Sequence, residues 1–144
     1  LQAQIDVRGD GLPLPPDVQV QVLHVVQEAL SNARKHAGAS HVSLLVRKGH
    51  RWRFSVQDDG AGFNVNEIRA ESHVGLKIMR ERAARVGGSV DIDSAPGTGT
   101  TVTLTLPPNP VALAQGVAMP LNPLDGTAAD TAHVPAENTL EVLR

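Results

Sequence analysis

The chain contains no cysteine and no tyrosine, and only one tryptophan and two phenylalanines. Without cysteine, disulfide frameworks and thiolate metal sites are excluded. With aromatic residues at 2% and hydrophobic residues at an ordinary 41%, the core must be aliphatic, built from Val, Leu, Ile and Ala. Basic residues are not in excess. Thirteen Lys and Arg stand against fifteen Asp and Glu, a formal net charge of −2, which argues against a generally basic nucleic-acid-binding surface but leaves room for a local basic site. No apolar run approaches the roughly 20 residues of a membrane span, and the opening LQAQIDVRGD is not a signal peptide. The six histidines show no zinc-ligand spacing such as H-E-x-x-H. The first residue is not Met, so a piece of a longer protein is expected, and its 144 residues suffice for one domain with one sizeable core.

What the chain does have is concentrated first in residues 25–37, VVQEALSNARKHA. On a helix Glu28 and Asn32 stand one turn apart and His36 follows at the same interval, so an acid, an amide and an imidazole share a stripe. Val22, Val25, Val26, Ala29 and Ala33 form the adjoining apolar stripe, which would bury against a sheet. An amide beside that stripe needs a partner, because leaving it buried and unpaired costs about 1–3 kcal/mol, and a hydrated cation or a phosphate oxygen would serve. Alone, E-x-x-x-N is equally the solvated side of an amphipathic helix.

Around this helix the pattern is one of alternation. Residues 1–8 place Leu1, Ala3, Ile5 and Val7 on one side, the period expected of a half-buried strand, and Gly9-Asp10-Gly11 ends it. A proline-punctuated lead-in, 12–16, precedes a helix that starts near Asp17 and runs to about His36, with Gly38 as its stop. Residues 41–48 and 51–58 alternate, separated by Gly49 and His50, and predict an antiparallel hairpin. Residues 59–74 carry Gly60, Gly62 and two asparagines with no sustained period, and read as a mobile, functional loop. Gly75 then opens a second helix, GLKIMRERAARVG, with Leu76, Met79, Ala83 and Val86 on its apolar face and Lys77, Arg80, Glu81, Arg82 and Arg85 on the solvated remainder. Residues 89–94 and 100–106 are two more alternating strands joined by APGTG.

The order strand, helix, hairpin, loop, helix, hairpin predicts a two-layer α/β (α+β) sandwich, with a mainly antiparallel five-stranded sheet and both helices on one face. The other face would be partly wet, which suits Arg47, Arg53, Asp91 and Thr103. Beyond Leu106 the character changes, since six of the ten prolines fall in residues 107–144 with no aromatic residue. Residues 1–107 are therefore expected to form the domain and 108–144 a disordered tail, in which 139–144 could make a helical turn.

Two further motifs bear on chemistry. Asp58-Asp59-Gly60-Ala61-Gly62 closes a strand, where a carboxylate can accept a hydrogen bond from a flat heterocycle's amino group while glycine lets the backbone approach the ring. By itself the pentad is equally a tight turn that needs glycine. Gly75, at a helix start, leaves free amide donors that favour a phosphate.

Glu28 and Asn32, then Asp58, Gly60 and Gly62, then Gly75, then Gly97-Thr98-Gly99-Thr100 follow one another in the order and at the intervals of a known set of boxes. Over residues 12–107 the sequence resembles the ATP-binding domain, the Bergerat fold, of sensor histidine kinases, gyrase-type topoisomerases, mismatch-repair proteins and heat-shock chaperones. VVQEALSNARKHA, GLKIMRERAARVGG and APGTGTTVTLTLP resemble the sensor-kinase branch that phosphorylates LuxR-type response regulators, the nitrate/nitrite sensors among them.

That resemblance implies ATP and Mg²⁺ as cofactors. Asn32 would ligate Mg²⁺ bridging the ATP phosphates, and Glu28 would orient water on the ion or assist phosphoryl transfer. Lys35 and His36 would approach phosphate. Asp58 would bind the adenine amino group, Gly60 and Gly62 would let the base approach, and Thr100 would support the pocket through a hydroxyl or a water. Gly75, with Leu76 beside it, would cap the phosphates at its helix terminus, and residues 59–74 would be the lid. The partners implied are a phosphoacceptor helix of the same kinase, a LuxR-type response regulator and a second copy in a full-length homodimer, with no nucleic acid; the setting implied is a cytoplasmic domain of a protein anchored in the inner membrane.

Departures from the family pattern are instructive. Ser72-His73-Val74-Gly75-Leu76 keeps one glycine of the usual G-x-G-x-G-L box, and the phenylalanine-rich box is not evident, Phe63 following the first glycine box directly. No histidine is followed by an acidic residue in the phosphoacceptor pattern: His24 precedes Val25, and His36 belongs to the nucleotide box. The chain alone is therefore expected to bind ATP with little or no self-phosphorylation, the acceptor lying upstream of Leu1. Two other readings compete, a serine kinase of the same superfamily that restrains a sigma factor, and a nucleotide-binding module that has lost catalysis.

Overall fold

In the computed structural model, which describes residues 1–35, 38–67 and 74–113, the long helix α1 (Pro16–Lys35) starts on a proline whose missing N–H is no loss at that position. Asp17 in its first turn and Arg34 and Lys35 in its last complement the helix dipole. The lead-in is fastened to the helix, with Gln19 donating through its side chain to Leu14 O at 2.8 Å and through its backbone to Pro15 O at 2.9 Å. Val18, Val22, Val25, Val26, Ala29 and Ala33 are buried along one stripe, as their spacing predicts.

The strands are β1 (Gln2–Gly9), β2 (His41–Lys48), β3 (Arg53–Asp58), β4 (Ser89–Ser94) and β5 (Thr100–Thr105), with a short 3₁₀ turn at Val65–Glu67 and a second helix, α2 (Val74–Ala84). They form one five-stranded sheet in the order β1-β2-β3-β5-β4. β1 runs parallel to β2 through the α1 crossover, and the remaining pairs are antiparallel. Val46, Phe54, Leu104 and Val90 make one cross-strand row facing the helices; Arg47, Arg53, Thr105 and Ser89 make the adjacent row on the other face. The buried side chains of both helices and of the sheet's inner face form one cluster. The two-layer sandwich expected from the sequence is thus the observed architecture.

Two details depart from expectation. The β2–β3 connection is longer than Gly49 and His50, because β3 begins at Arg53 and Arg47 pairs with Arg53. A two-residue turn would have set Val46 opposite Arg53 and turned one strand inside out, since a one-residue slip exchanges the faces. Trp52 leaves the ladder and is buried against Phe54, ring centroids 5.8 Å apart, with its indole N–H donating to Leu12 O. The second departure is β1, predicted to be half-buried. Leu1, Ile5 and Val7 are instead exposed, although β1 pairs in register with the buried Val42, Leu44 and Val46. The physical reason is coverage: among the described residues α1 packs over β3 and β5 and α2 over β4, and neither extends over the β1 edge.

Past β5 the chain turns back over the core. Ala112 packs against it and Leu113 N donates to Arg85 O at 2.7 Å. The rest of the expected tail, 114–144, with the helical turn at 139–144, lies outside the described residues, as do 68–73 of the expected lid. No helix among the described residues is long and apolar enough to cross a membrane.

Candidate functional site

Among the described residues, two of the three buried polar side chains, Asp58 and Ser94, lie at one end of the sheet, the third being Ser31 on α1. Asp58 at the end of β3 is the Cα partner of Thr100 at the start of β5, and Thr100 that of Ser94 at the end of β4. Their alternation with Val56, Val102 and Ile92 puts all three on the helix-covered face. Asp58 is 8% and Ser94 9% exposed, so their polar atoms must be answered within the protein or by a ligand. Asp58 Oδ1 accepts from Gly60 N at 2.9 Å. Ser94 Oγ accepts from Phe63 N at 2.9 Å and donates to Gly99 O at 2.9 Å, with Thr100 Oγ1 also 2.9 Å away.

These bonds lash the glycine pentad to the 95–99 turn. Gly97 N donates to Ala61 O at 2.6 Å, and Gly62 adopts φ +65° with its Cα pressed against the opposite backbone. A Cβ there would collide with Ala95 O and stand 2.9 Å from Gly99 O. Only glycine fits without moving a main chain.

Asp59, next in sequence, faces outward and has a different task. Its Oδ1 accepts from Ser40 N at 2.8 Å and His41 N at 2.9 Å, and its Oδ2 lies 3.0 Å from His41 Nδ1. The His41 backbone N–H, and after it the His41 ring, hold the Asp59 carboxyl below its ordinary value. The bond ties the chain leaving α1 to the sheet rim. At the same rim, Gln2, Gln4, Ser43 and Gln57 line a cavity of about 580 Å³ together with Asp58, Asp59 and Thr98.

The second cluster lies on the helix pair. Glu28 and Asn32, one turn apart on α1, are both half-buried, and exposed Lys35 continues their stripe, whereas Arg34 points elsewhere. Against them stands Gly75 in the first turn of α2. A Cβ on Gly75 would collide with Glu28 Oε1 and lie 3.3 Å from Asn32 Nδ2. The N–H groups of the first turn of α2, which have no partner within that helix, therefore share one corner with a carboxylate and a carboxamide. Further along the same helix pair, His24 keeps an exposed surface, and partial desolvation and then the charges of Arg82 and Arg85 depress its pKa.

The sequence-predicted residues thus fall into two groups: Asp58, Gly60, Gly62 and Thr100 at the sheet rim, and Glu28, Asn32, Lys35 and Gly75 at the helix pair. The Leu76 side chain is 4% exposed and belongs to the core, which leaves only its backbone N–H for a ligand. His36 lies outside the described residues. Sequence reasoning missed Ser94 and the Asp59–His41 tie. Ser94 had left a signal, a polar residue at the inward parity of Val90 and Ile92.

The family model of the histidine kinase-, DNA gyrase B- and HSP90-like ATPases matches residues 17–110, which contain both groups. Among curated relatives, the chain is 37% identical over 91 residues to the sensor histidine kinase LiaS of Bacillus subtilis (strain 168), covering 62% of this chain and 25% of that protein. It is 38% identical over 101 residues to the signal transduction histidine-protein kinase/phosphatase DegS of Brevibacillus brevis, covering 69% of this chain and 26% of that protein. Among solved structures, the histidine kinase domain of the Erythrobacter litoralis EL346 blue-light activated kinase superposes with a TM-score of 0.56 at 25% identity, over 73% of this chain and 54% of that one. The chain spans about a quarter of the length of the curated relatives it matches. On these matches the chain belongs to the histidine kinase-, DNA gyrase B- and HSP90-like ATPase family, as an ATP-binding domain of the sensor histidine kinase kind.

Proposed function

We propose that this domain binds Mg²⁺–ATP with the base at the sheet rim and the phosphates at the helix pair, and presents the γ-phosphate to a histidine on a dimerisation helix outside this chain. The observation that carries the reading is the corner where the open start of α2 meets Glu28 and Asn32, made possible by the bare backbone of Gly75. Helix N-terminal amides attract phosphate oxygens, and Lys35 adds a mobile positive charge beside them.

The donor set suits Mg²⁺. Among the described residues no three His, Cys, Asp or Glu side chains gather into a metal cage. An amide oxygen from Asn32 and a carboxylate from Glu28 match an ion that keeps several waters and takes other ligands from phosphate. Bound there, Mg²⁺ would neutralise charge on the phosphates during transfer. Asn32 would hold the ion and Glu28 would orient one of its waters. Asp58 would accept from the adenine amino group, with Gly60, Gly62 and Thr100 shaping the base pocket. In the whole kinase, a cytoplasmic half of a homodimer anchored in the inner membrane, the phosphoryl group would pass from histidine to a LuxR-type response regulator.

Calorimetric titration of ATP with and without Mg²⁺ tests the site. Asp58→Asn places an amide opposite an amino group and should weaken ATP binding by about 2–3 kcal/mol, roughly 30- to 160-fold. Asn32→Ala should leave Mg²⁺-free binding intact and remove the increment that Mg²⁺ adds. Unchanged titrations for both variants would refute the assignment.

A further inference from the structure

A serine hydroxyl has one proton and two lone pairs, so three neighbours determine its direction. Ser94 Oγ has three, the Phe63 N–H, the Gly99 carbonyl and the Thr100 hydroxyl, each at 2.9 Å. The carbonyl can only accept, and Gly99 is buried away from water, so the Ser94 proton goes to it. The Phe63 N–H can only donate, and it fills one lone pair. The remaining lone pair faces Thr100 Oγ1, whose own proton is thereby directed at Ser94.

Thr100 then has nothing but lone pairs to offer the space beside it. Its neighbour across β3–β5 is Asp58, which is in the same position. Asp58 Oδ1 already accepts from Gly60 N, leaving Oδ2 as a second acceptor. Two acceptors on adjacent strands, with side chains about 5 Å apart at Cβ, suit a group carrying two N–H donors.

Resting on the reading of this rim as the base site, we propose that Ser94 is a specificity-determining residue that never touches the base: by holding the Thr100 hydroxyl as an acceptor, it makes the rim select a 6-amino purine over a 6-oxo purine. A 6-amino group satisfies both acceptors. A 6-oxo group sets a carbonyl oxygen against one of them, and a polar mismatch in a built site discriminates more strongly than a missing apolar contact. Removing the Ser94 hydroxyl frees the Thr100 proton to turn toward the base and donate to a 6-oxo oxygen.

The experiment compares ATP with ITP, which differ at this position, by titration of the whole chain. Wild type should prefer ATP. Ser94→Ala should lower the ATP:ITP affinity ratio by about tenfold, the worth of one redirected hydrogen bond, chiefly by improving ITP. Thr100→Val, which keeps the side chain's shape, should also lower the ratio, chiefly by weakening ATP, and Ser94→Ala added to it should change the ratio no further. Should Ser94→Ala fail to fold, Thr100→Val alone decides, since an unchanged ratio there removes the acceptor from the account. An unchanged ratio in folded Ser94→Ala, or a Ser94 effect that persists without the Thr100 hydroxyl, overturns the inference while leaving ATP binding intact. Failure of the wild type to bind either nucleotide overturns both the inference and the function on which it rests.

Discussion

At the sheet rim, glycines press against main chain: a Cβ on Gly62 would collide with Ala95 O and one on Gly99 with Asp58 O. At the helix pair, the same close approach at Gly75 is to the end of a flexible side chain, Glu28. The rim is wired by hydrogen bonds among the pentad, Ser94 and the 95–99 turn. In the helix corner, Glu28 and Asn32 are held by α1, which carries both and joins α2 in the common core through Val25, Ala29, Leu76 and Met79. The difference matches what each half is proposed to hold. A flat base is recognised by fixed acceptors, and a fixed frame gives discrimination. A hydrated ion with phosphates changes shape during transfer, and side chains free to swing can follow it.

The harshest way to break that contrast is Gly62→Ala. Its positive φ and its collision with rigid backbone should together destabilise the fold by roughly 2–4 kcal/mol, read as a lowered urea midpoint at unchanged slope. If the variant is as stable as wild type, the rim is not rigid and the distinction between the halves falls.

Gly75→Ala is the matched control. A helical Ala is about 1 kcal/mol better than Gly, and the atom in its way can rotate aside, so stability should hold or rise slightly. The displaced Glu28 should show itself elsewhere, as a smaller Mg²⁺ increment in ATP affinity with Mg²⁺-free binding nearly unchanged. A large loss of stability here would make the helix corner as rigid as the rim.

The same division explains what could be read in the sequence. Periodicity reports which face of an element is inward, so both helices and the alternating strands were legible from Val22 to Ala33 and from Val42 to Val46. It does not report how far a neighbouring layer extends, and β1 therefore carries an inward pattern that neither helix covers. Nor does it give the length of a turn, which the pairing of Val46 with Phe54 decided. Of the site, side chains that would touch a ligand stood in recognisable boxes, whereas Ser94 works only through Phe63, Gly99 and Thr100 and acquires meaning once three strand ends are brought together.

The smallest effect separates the halves by proton rather than by substitution. Among the described residues each has one group with a depressed pKa, His24 near Arg82 and Arg85 on the helix pair and Asp59 beside His41 at the rim. Unfolded His24 takes up its proton near 6.5, and folded His24 only at lower pH, so below 6.5 the unfolded chain binds more protons and stability falls as pH falls. Asp59 obeys the same sign in a lower window: its contribution is complete above 3.8 and is lost as pH drops through the folded value. Thermal unfolding from pH 7 downward should therefore show two successive losses. His24→Gln should flatten the upper one without touching the lower, and Asp59→Asn the reverse. Both side chains are exposed, so both losses should be small, and that of Asp59, which rests on surface hydrogen bonds from His41 and Ser40, should shrink further with added salt. If either substitution flattened both limbs, the helix pair and the rim would be titrating as one unit, and the two halves of the site would not be mechanically separate.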